Sequence, residues 1–186
     1  MPGQVKGTLF VDYVRMLRSR KDIDWARYLE PEDLPFLSQR IALEGWYPMA
    51  TFERFGLAIL AEITRDDLFL ARAWGRMSVE FLLTTNEQLL VAGDPRESLM
   101  RVLVFRKSFF DFEVVSIPQL TDGHATIHVH YGMAPRAEQA AAFQTLGFFG
   151  RLVELSGATG VMTQMTQRSW EGDPATEFTI DWKPNV

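Results

Sequence analysis

The sequence predicts an α+β fold in which an amino-terminal helical layer packs on a small, four-stranded, mainly antiparallel sheet. Residues 1 to about 110 carry apolar side chains at helical spacing. Residues from about 111 to 186 instead contain alternating, β-branched segments on both sides of one long helical segment. Because no Ser/Gly-rich linker and no internal repeat separates these parts, we expect a single domain spanning residues 1–186.

Helical spacing and start signals predict helices in the first part that begin near Thr8, Glu30, Met49, Thr64 and Asp94. The last of these starts is the clearest. Asp94 is a good N-cap residue, Pro95 suits the first turn, and Glu97 stands three residues after the cap. This helix should run to about Ser108.

The second part predicts two β-hairpins joined by one long helix. The helix runs from about Pro135 to Ser156 and is followed by Gly157, a residue that favours helix ends. Gly147 and Gly150 lie one turn apart on it and predict a close approach of another backbone. The predicted strands are Phe112–Ile117, His124–Tyr131, Val161–Trp170 and Thr176–Trp182.

Composition excludes several classes of function. A formal charge of −5 argues against general affinity for nucleic acid, and no run of 18 apolar residues predicts a membrane span. The absence of cysteine excludes disulfides, zinc–thiolate sites and thiol nucleophiles. The amino terminus does not resemble a signal peptide, so we expect a cytoplasmic protein.

The three histidines offer the one candidate for metal chemistry. His124, His128 and His130 alternate along one predicted strand and therefore share a face. His128 and His130 are spaced to hold a metal together, but a metal usually needs a third ligand, and none is evident. We therefore favour a polar, solvent-facing strand surface and expect neither a metal site nor catalytic residues.

Several segments resemble a known superfamily of small ligand-binding domains. Phe148–Ala158 running into the strand at Val161, and Glu177–Ile180, look like its closing helix-and-strand unit. Upstream, Gly45–Met49 and Asp94–Leu99 follow in a compatible order. The superfamily groups haem-nitric-oxide-binding domains, 4-vinyl-reductase-type domains and TRAPP vesicle-tethering subunits. A myxobacterial paralogue family of unknown function is also similar.

The resemblance implies an architecture and a tendency to pair through helices, but not haem. The haem-binding members use a histidine on the helix before the sheet and a Tyr-x-Ser-x-Arg motif. Here Ser98–Ser108 contains no histidine, and Tyr131–Arg136 has neither the serine nor the spacing. The metal-binding or acylated cysteines of other members are also missing, so we expect no cofactor.

We therefore expect a non-enzymatic sensor, adaptor or regulatory module that binds a small apolar ligand or a partner protein. The possible pocket residues are Trp46, Tyr47, Phe148, Phe149, Met162, Met165 and Trp170. Ordinary core packing is the alternative interpretation of these residues. The alternative functions are a metal-dependent hydrolase using the His128/His130 face and a purely structural dimer.

A homodimer is expected through the amino-terminal helices, which carry more apolar side chains than one small sheet can cover. The alternative is that the predicted helix over Leu68–Leu83 buries these faces within one chain. The residues behind this expectation are Phe10, Val11, Tyr13, Val14, Phe52, Phe55, Leu57, Ile59 and Leu60.

Overall fold

The computed structural model describes residues 3–183 and confirms the α+β class, with five α-helices and two antiparallel sheets in that range. These elements fall into two compact units. The first unit comprises the chain up to Asp67 together with Lys107–Phe112. The second comprises Leu68–Arg106 and the chain from Glu113 onward.

The first unit contains two helices and a short two-stranded sheet. Strand β1 (Gln4–Lys6) leads into helix α1 (Gly7–Ser19), and strand β2 (Trp46–Pro48) leads into helix α2 (Met49–Glu62). The two strands pair antiparallel. This ribbon was not predicted, because three residues are too few to show a period of two.

Of the nine apolar side chains behind the expected dimer, six are buried and three are half-buried, namely Val11, Tyr13 and Leu57. Phe10, Val14, Phe55 and Ile59 are essentially fully buried, and Phe10 packs on Phe55 with ring centroids 5.3 Å apart. Most of the apolar surface that motivated the expected dimer is therefore covered within the chain. The homodimer itself stays a prediction.

Helices α3 (Leu68–Thr85), α4 (Pro95–Arg106) and α5 (Pro135–Leu155) belong to the second unit. The predicted cap of α4 is confirmed, since Oδ1 of Asp94 accepts a hydrogen bond from the Glu97 amide at 2.9 Å. The predicted end of α5 is confirmed by Gly157, which has a left-handed φ of +93°.

Two glycines allow α3 and α5 to touch through their backbones. A Cβ atom placed on Gly75 would lie 1.8 Å from the carbonyl oxygen of Gln144, and one on Gly147 would lie 2.1 Å from that of Arg72. The close approach expected at Gly147 is thus confirmed. At Gly150 the neighbour is the Thr163 side chain, 3.1 Å from such an atom.

The sheet of the second unit consists of the two predicted hairpins, with α5 between them in the chain. Strands β3 (Val115–Thr121), β4 (His124–Val129), β5 (Thr159–Gln167) and β6 (Thr176–Lys183) are arranged in the order β3-β4-β6-β5. All neighbours are antiparallel. On β4, Ala125, Ile127 and Val129 are fully buried. Every second residue of the strand thus faces the core, as the alternating sequence predicts.

Each strand of this sheet differs from the prediction at one or both ends. The second ends at Val129 rather than Tyr131, and the fourth ends at Lys183 rather than Trp182. The first strand starts at Val115 rather than Phe112 and continues to Thr121, because pairing with β4 extends to the turn itself. The third ends at Gln167, and Ser169–Glu171 form a short 3-10 helix. Across residues 3–183, no helix is both long and apolar enough to cross a membrane.

Candidate functional site

The structure distributes the seven predicted pocket residues over both units. Trp46 and Tyr47 belong to the first unit. Trp46 is exposed, with the Lys6 ammonium 5.0 Å from its ring centroid. Tyr47 stacks on Phe10 at 4.5 Å and accepts a hydrogen bond from the Ala42 amide through its hydroxyl. These contacts anchor β2 within its own unit.

The other five predicted pocket residues belong to the second unit. Phe148 and Phe149 are buried on α5 and meet edge to face at 5.4 Å. Met165 and Trp170 are half-buried, whereas Met162 is 68% exposed. Residues three apart on a strand point to opposite faces, so Met162 and Met165 do not line one wall.

A polar cluster that the sequence did not reveal lies beside the two phenylalanines. Arg106, the last residue of α4, directs its guanidinium towards both rings, with Cζ 5.0 Å from the centroid of Phe148 and 5.5 Å from that of Phe149. Nη2 of Arg106 donates a hydrogen bond to the hydroxyl of Tyr131 at 3.1 Å. That hydroxyl is also 2.6 Å from Oγ1 of Thr145.

Glu138 holds the segment between β4 and α5 that carries Tyr131. Its buried side chain accepts hydrogen bonds from the amides of Tyr131 at 2.7 Å and Met133 at 3.0 Å. Both carboxyl oxygens are therefore engaged by backbone. This contact fixes the backbone from which the Tyr131 ring projects towards Arg106. We call Arg106, Tyr131, Thr145, Phe148 and Phe149 the Arg106 cluster.

The Arg106 guanidinium lacks a counter-charge among the described residues. Its Nε is buried and has no hydrogen-bond partner. Among residues 3–183, no carboxylate lies within ion-pair distance of it. A partly buried charge without a counter-charge costs free energy, and the faces of the two aromatic rings offset only part of that cost. The cluster is therefore able to attract an anion.

The sequence offered a weak signal for this cluster. Tyr131 stands at the position of the family's tyrosine–arginine motif, and Phe148 and Phe149 are among the predicted pocket residues. Arg106 has the position of an ordinary basic residue in the last turn of a helix, where it complements the helix dipole. Nothing in the spacing of Glu138 or Thr145 distinguishes them from surface polar residues of an amphipathic helix.

The histidines on the outer face of β4 are paired with acids of β6. Nδ1 of His124 lies 2.6 Å from Oδ1 of Asp181, and Nε2 of His128 lies 2.8 Å from Oε2 of Glu177. Hydrogen bonds from Thr166 and His128 hold the pKa of Glu177 below its ordinary value. His130 follows the end of β4.

This arrangement provides no metal centre. Within the described residues, no group of three His, Asp or Glu side chains is arranged to hold a metal ion. The predicted ligand pair is divided, since His128 engages Glu177, while His130 is 58% exposed and lies 3.7 Å from Glu138. The face is better described as a row of cross-strand polar pairs, each of modest stabilising effect.

The residues present do not fit a histidine-ligated haem. Helix α4 contains no histidine, and the three histidines lie on or just after β4. The α4 side chain that reaches the Phe148 and Phe149 rings is Arg106, whose guanidinium is a cation without a lone pair available for iron. The ligand chemistry expected of a haem pocket is therefore missing from this helix.

Comparison with known proteins identifies the fold. No protein-family model and no curated protein sequence matches the chain. Solved structures of H-NOX (haem-nitric-oxide-binding) proteins do match. The Fe(II) unliganded H-NOX protein from K. algicida has a TM-score of 0.68 and 14% identity, covering 97% of this chain and 98% of that chain.

Two further H-NOX structures agree. The protein from S. oneidensis in the Fe(II)NO ligation state has a TM-score of 0.63 and 9% identity, covering 96% of this chain and 99% of that chain. A single-residue mutant of the T. tengcongensis protein has a TM-score of 0.63 and 13% identity, covering 97% of this chain and 99% of that chain. The chain thus shares its fold with H-NOX proteins over nearly its whole length. Among the proteins named in the resemblance, the haem-nitric-oxide-binding domains are thus matched at the level of the fold.

Proposed function

We propose that this protein is a non-enzymatic, cytoplasmic ligand-binding module that acts as a sensor or regulatory domain. The observation that carries the proposal is the match to H-NOX structures over 97% of this chain. Those proteins are described with Fe(II) and with bound NO. A chain that keeps the complete fold keeps the framework in which a small ligand is held.

The ligand differs from haem, because α4 presents the Arg106 guanidinium to the aromatic rings and carries no histidine that could ligate iron. The Arg106 cluster supports a ligand site within the second unit, where Phe148 provides an apolar surface and Arg106 provides a charge. The cluster has no nucleophile with an adjacent base, which is the usual requirement of covalent catalysis. We therefore propose binding rather than turnover.

A partner protein is the second candidate, and one surface of α3 favours it. Leu70, Met77 and Phe81 lie on one side of this helix and are 49%, 62% and 67% exposed. Their spacing of seven and four residues forms a stripe. It is opposite to Ala71, Gly75 and Val79, which are buried. An exposed apolar stripe of this kind is typical of a contact surface.

The metal-dependent hydrolase has no comparable support. His128 is engaged by Glu177, and no third ligand joins it in the part of the chain that the structure describes. A purely structural dimer would leave the Arg106 guanidinium without a role. A bound metal would support the hydrolase, and a dimer that retains no ligand would support the purely structural role.

Native mass spectrometry of the protein as purified tests the proposal. We expect a mass adduct of one small organic molecule per chain, lost on denaturation, with no Soret band and no stoichiometric iron or zinc. A haem adduct would contradict the assignment of a different ligand. The hydrolase would be favoured if the chain retained one zinc and cleaved a phosphoester or amide, and if a chelator removed both the zinc and the activity.

A further inference from the structure

The Arg106 guanidinium has more hydrogen-bonding capacity than residues 3–183 use. A guanidinium carries five N–H donors, and the hydrogen bond that Arg106 makes is the one from Nη2 to Tyr131. Other arginines of the second unit are better supplied with acceptors. Arg76 holds both carboxyl oxygens of Glu154 at 2.8 and 2.9 Å. Arg101 holds Glu97 on the same helix as Arg106.

The orientation of Arg106 defines the side from which an anion approaches. Nε is buried, whereas the side chain as a whole is half-buried. The ligand therefore meets the terminal nitrogens, and Nη1 and Nη2 form a two-pronged donor that matches the two oxygens of a carboxylate. Phe148 lies directly beneath the guanidinium and keeps 7% exposure, whereas Phe149 is fully buried. Apolar contact with a ligand is thus made through Phe148.

We propose that Arg106 anchors the carboxylate of a small monoanionic ligand whose apolar part packs against Phe148. This inference rests on the proposed ligand-binding function and names the chemical class of its ligand. The carboxylate supplies the counter-charge that the described residues do not, and the apolar part covers the ring next to it. The Tyr131 hydroxyl, which also contacts Thr145, accepts a hydrogen bond from Nη2 of Arg106 and so orients the guanidinium. This contact does not use Nη1.

A monocarboxylate suits the cluster better than a phosphate. Glu138 is buried beside the cluster and bonds the Tyr131 amide, so an acidic side chain already lies near the site. A ligand with two negative charges would meet one cation and this acid. A ligand with one negative charge is balanced by Arg106 alone, and its planar head group fits the planar guanidinium.

Titration calorimetry with matched probes tests the inference on the full chain. Decanoate and 2-naphthoate serve as carboxylates, and decanol and 2-naphthol serve as neutral molecules with the same carbon skeletons. We expect at least one carboxylate to bind about ten- to a hundredfold more tightly than its alcohol, because a charged, two-pronged pair is lost in the alcohol. Decyl phosphate should bind less tightly than decanoate.

Variants locate the binding. Arg106→Gln should weaken carboxylate binding about ten- to a hundredfold, and Arg106→Lys, which keeps the charge without the fork, should recover part of it. Arg101→Gln is the matched control, because Arg101 is an exposed arginine of α4 that pairs with Glu97. The affinity of Arg101→Gln for the carboxylate should equal that of the parent protein. Near-ultraviolet circular dichroism confirms that each variant remains folded, and Arg106→Lys preserves the test if Arg106→Gln does not fold.

The outcomes separate the inference from the function on which it rests. Equal binding of carboxylate by the parent protein and Arg106→Gln overturns the anchor. Equal binding of acid and alcohol also overturns it but leaves an apolar ligand, and thus the proposed function, intact. No binding of any probe up to about 1 mM overturns the inference, and the native mass spectrum then decides the proposed function independently.

Discussion

Substitution of Gly147 by alanine isolates the contact between α3 and α5. On a helix without such a contact, glycine to alanine stabilises by about 1 kcal/mol, because alanine has the better helix propensity. Here the added Cβ would lie 2.1 Å from the carbonyl oxygen of Arg72. The obstacle is backbone, which cannot rotate away as the end of a side chain can. Sterics and propensity therefore act in opposite directions.

The size of the steric effect follows from the distances. Ordinary contact of a Cβ begins at 3.4 Å, so the backbones must separate by about 1.3 Å at Gly147 and about 1.6 Å at Gly75. A gap of about 0.5–1 Å already loses a quarter to a half of a dispersion contact. Overpacking of this kind costs about 1–3 kcal/mol. We therefore expect Gly147→Ala and Gly75→Ala each to lower the free energy of unfolding by about 1–2 kcal/mol.

Urea unfolding followed by circular dichroism at 222 nm measures these changes, with Gly56→Ala as the control. Gly56 is inside α2, and its added Cβ would lie 3.4 Å from the Tyr13 ring, an ordinary contact. This variant should be stabilised by up to about 1 kcal/mol. The double variant at Gly75 and Gly147 should cost less than the sum of the single variants, because one separation relieves both clashes. Stabilisation by Gly147→Ala equal to that by Gly56→Ala would refute the close approach.

Three further predictions concern charge and assembly. Arg54 donates Nε and Nη2 to the fully buried Asp33 at 2.6 and 2.8 Å, so Arg54→Met should cost about 3–5 kcal/mol in urea unfolding. Glu32→Gln, which removes the exposed partner of Arg54, should cost less than about 1 kcal/mol. Burial alone would raise the pKa of Asp33, but hydrogen bonds from Arg54, Thr51 and the Glu30 amide hold it below its ordinary value. This stability is therefore present above the unfolded pKa of about 3.9 and is lost as the pH falls through the lower folded value; Asp33→Asn should unfold with a flatter pH dependence between pH 6 and 3. Light scattering at tens of micromolar should give about twice 21.3 kDa, whereas a mass of one chain would rule out the dimer. Because Phe10 and Val14 are buried, the exposed α3 surface is the one tested for pairing, and Met77→Glu should reduce the mass with the fold intact.

Long periodic segments were the predictable part of this fold. α5 spans 21 residues, so several turns of apolar spacing agree on one face, and its predicted start at Pro135 coincides with the observed one. β4 was predictable because one face is buried and the other polar, which makes the alternation strict. The short strands β1 and β2 were not predictable, because three residues show no period and their pairing joins residues 40 to 44 positions apart.

Contacts between distant segments were the unpredictable part. Gly147 was recognised as a site of close approach, but Gly75 as its counterpart was not, because the sequence does not say which helix faces which. The two methionines Met162 and Met165 were grouped by type and proximity, although their odd spacing on a strand places them on opposite faces. Residue type alone thus gave a list of apolar candidates without the geometry that divides them.

The Arg106 cluster shows why a shared fold does not carry a shared ligand. At 14% identity or less, the backbone arrangement of H-NOX proteins is retained while the side chains that meet inside it are free to differ. On α4 the side chain directed at the aromatic rings is a permanent cation, which repels metal ions and attracts carboxylates. Leaving its Nε buried and unsatisfied lowers stability unless something is gained in return. A replacement of Arg106 by methionine, which fits the same space without the charge, should therefore leave the melting temperature unchanged or raise it. A clear loss of stability in that variant, together with unaltered carboxylate binding, would show that the guanidinium serves the fold rather than a ligand.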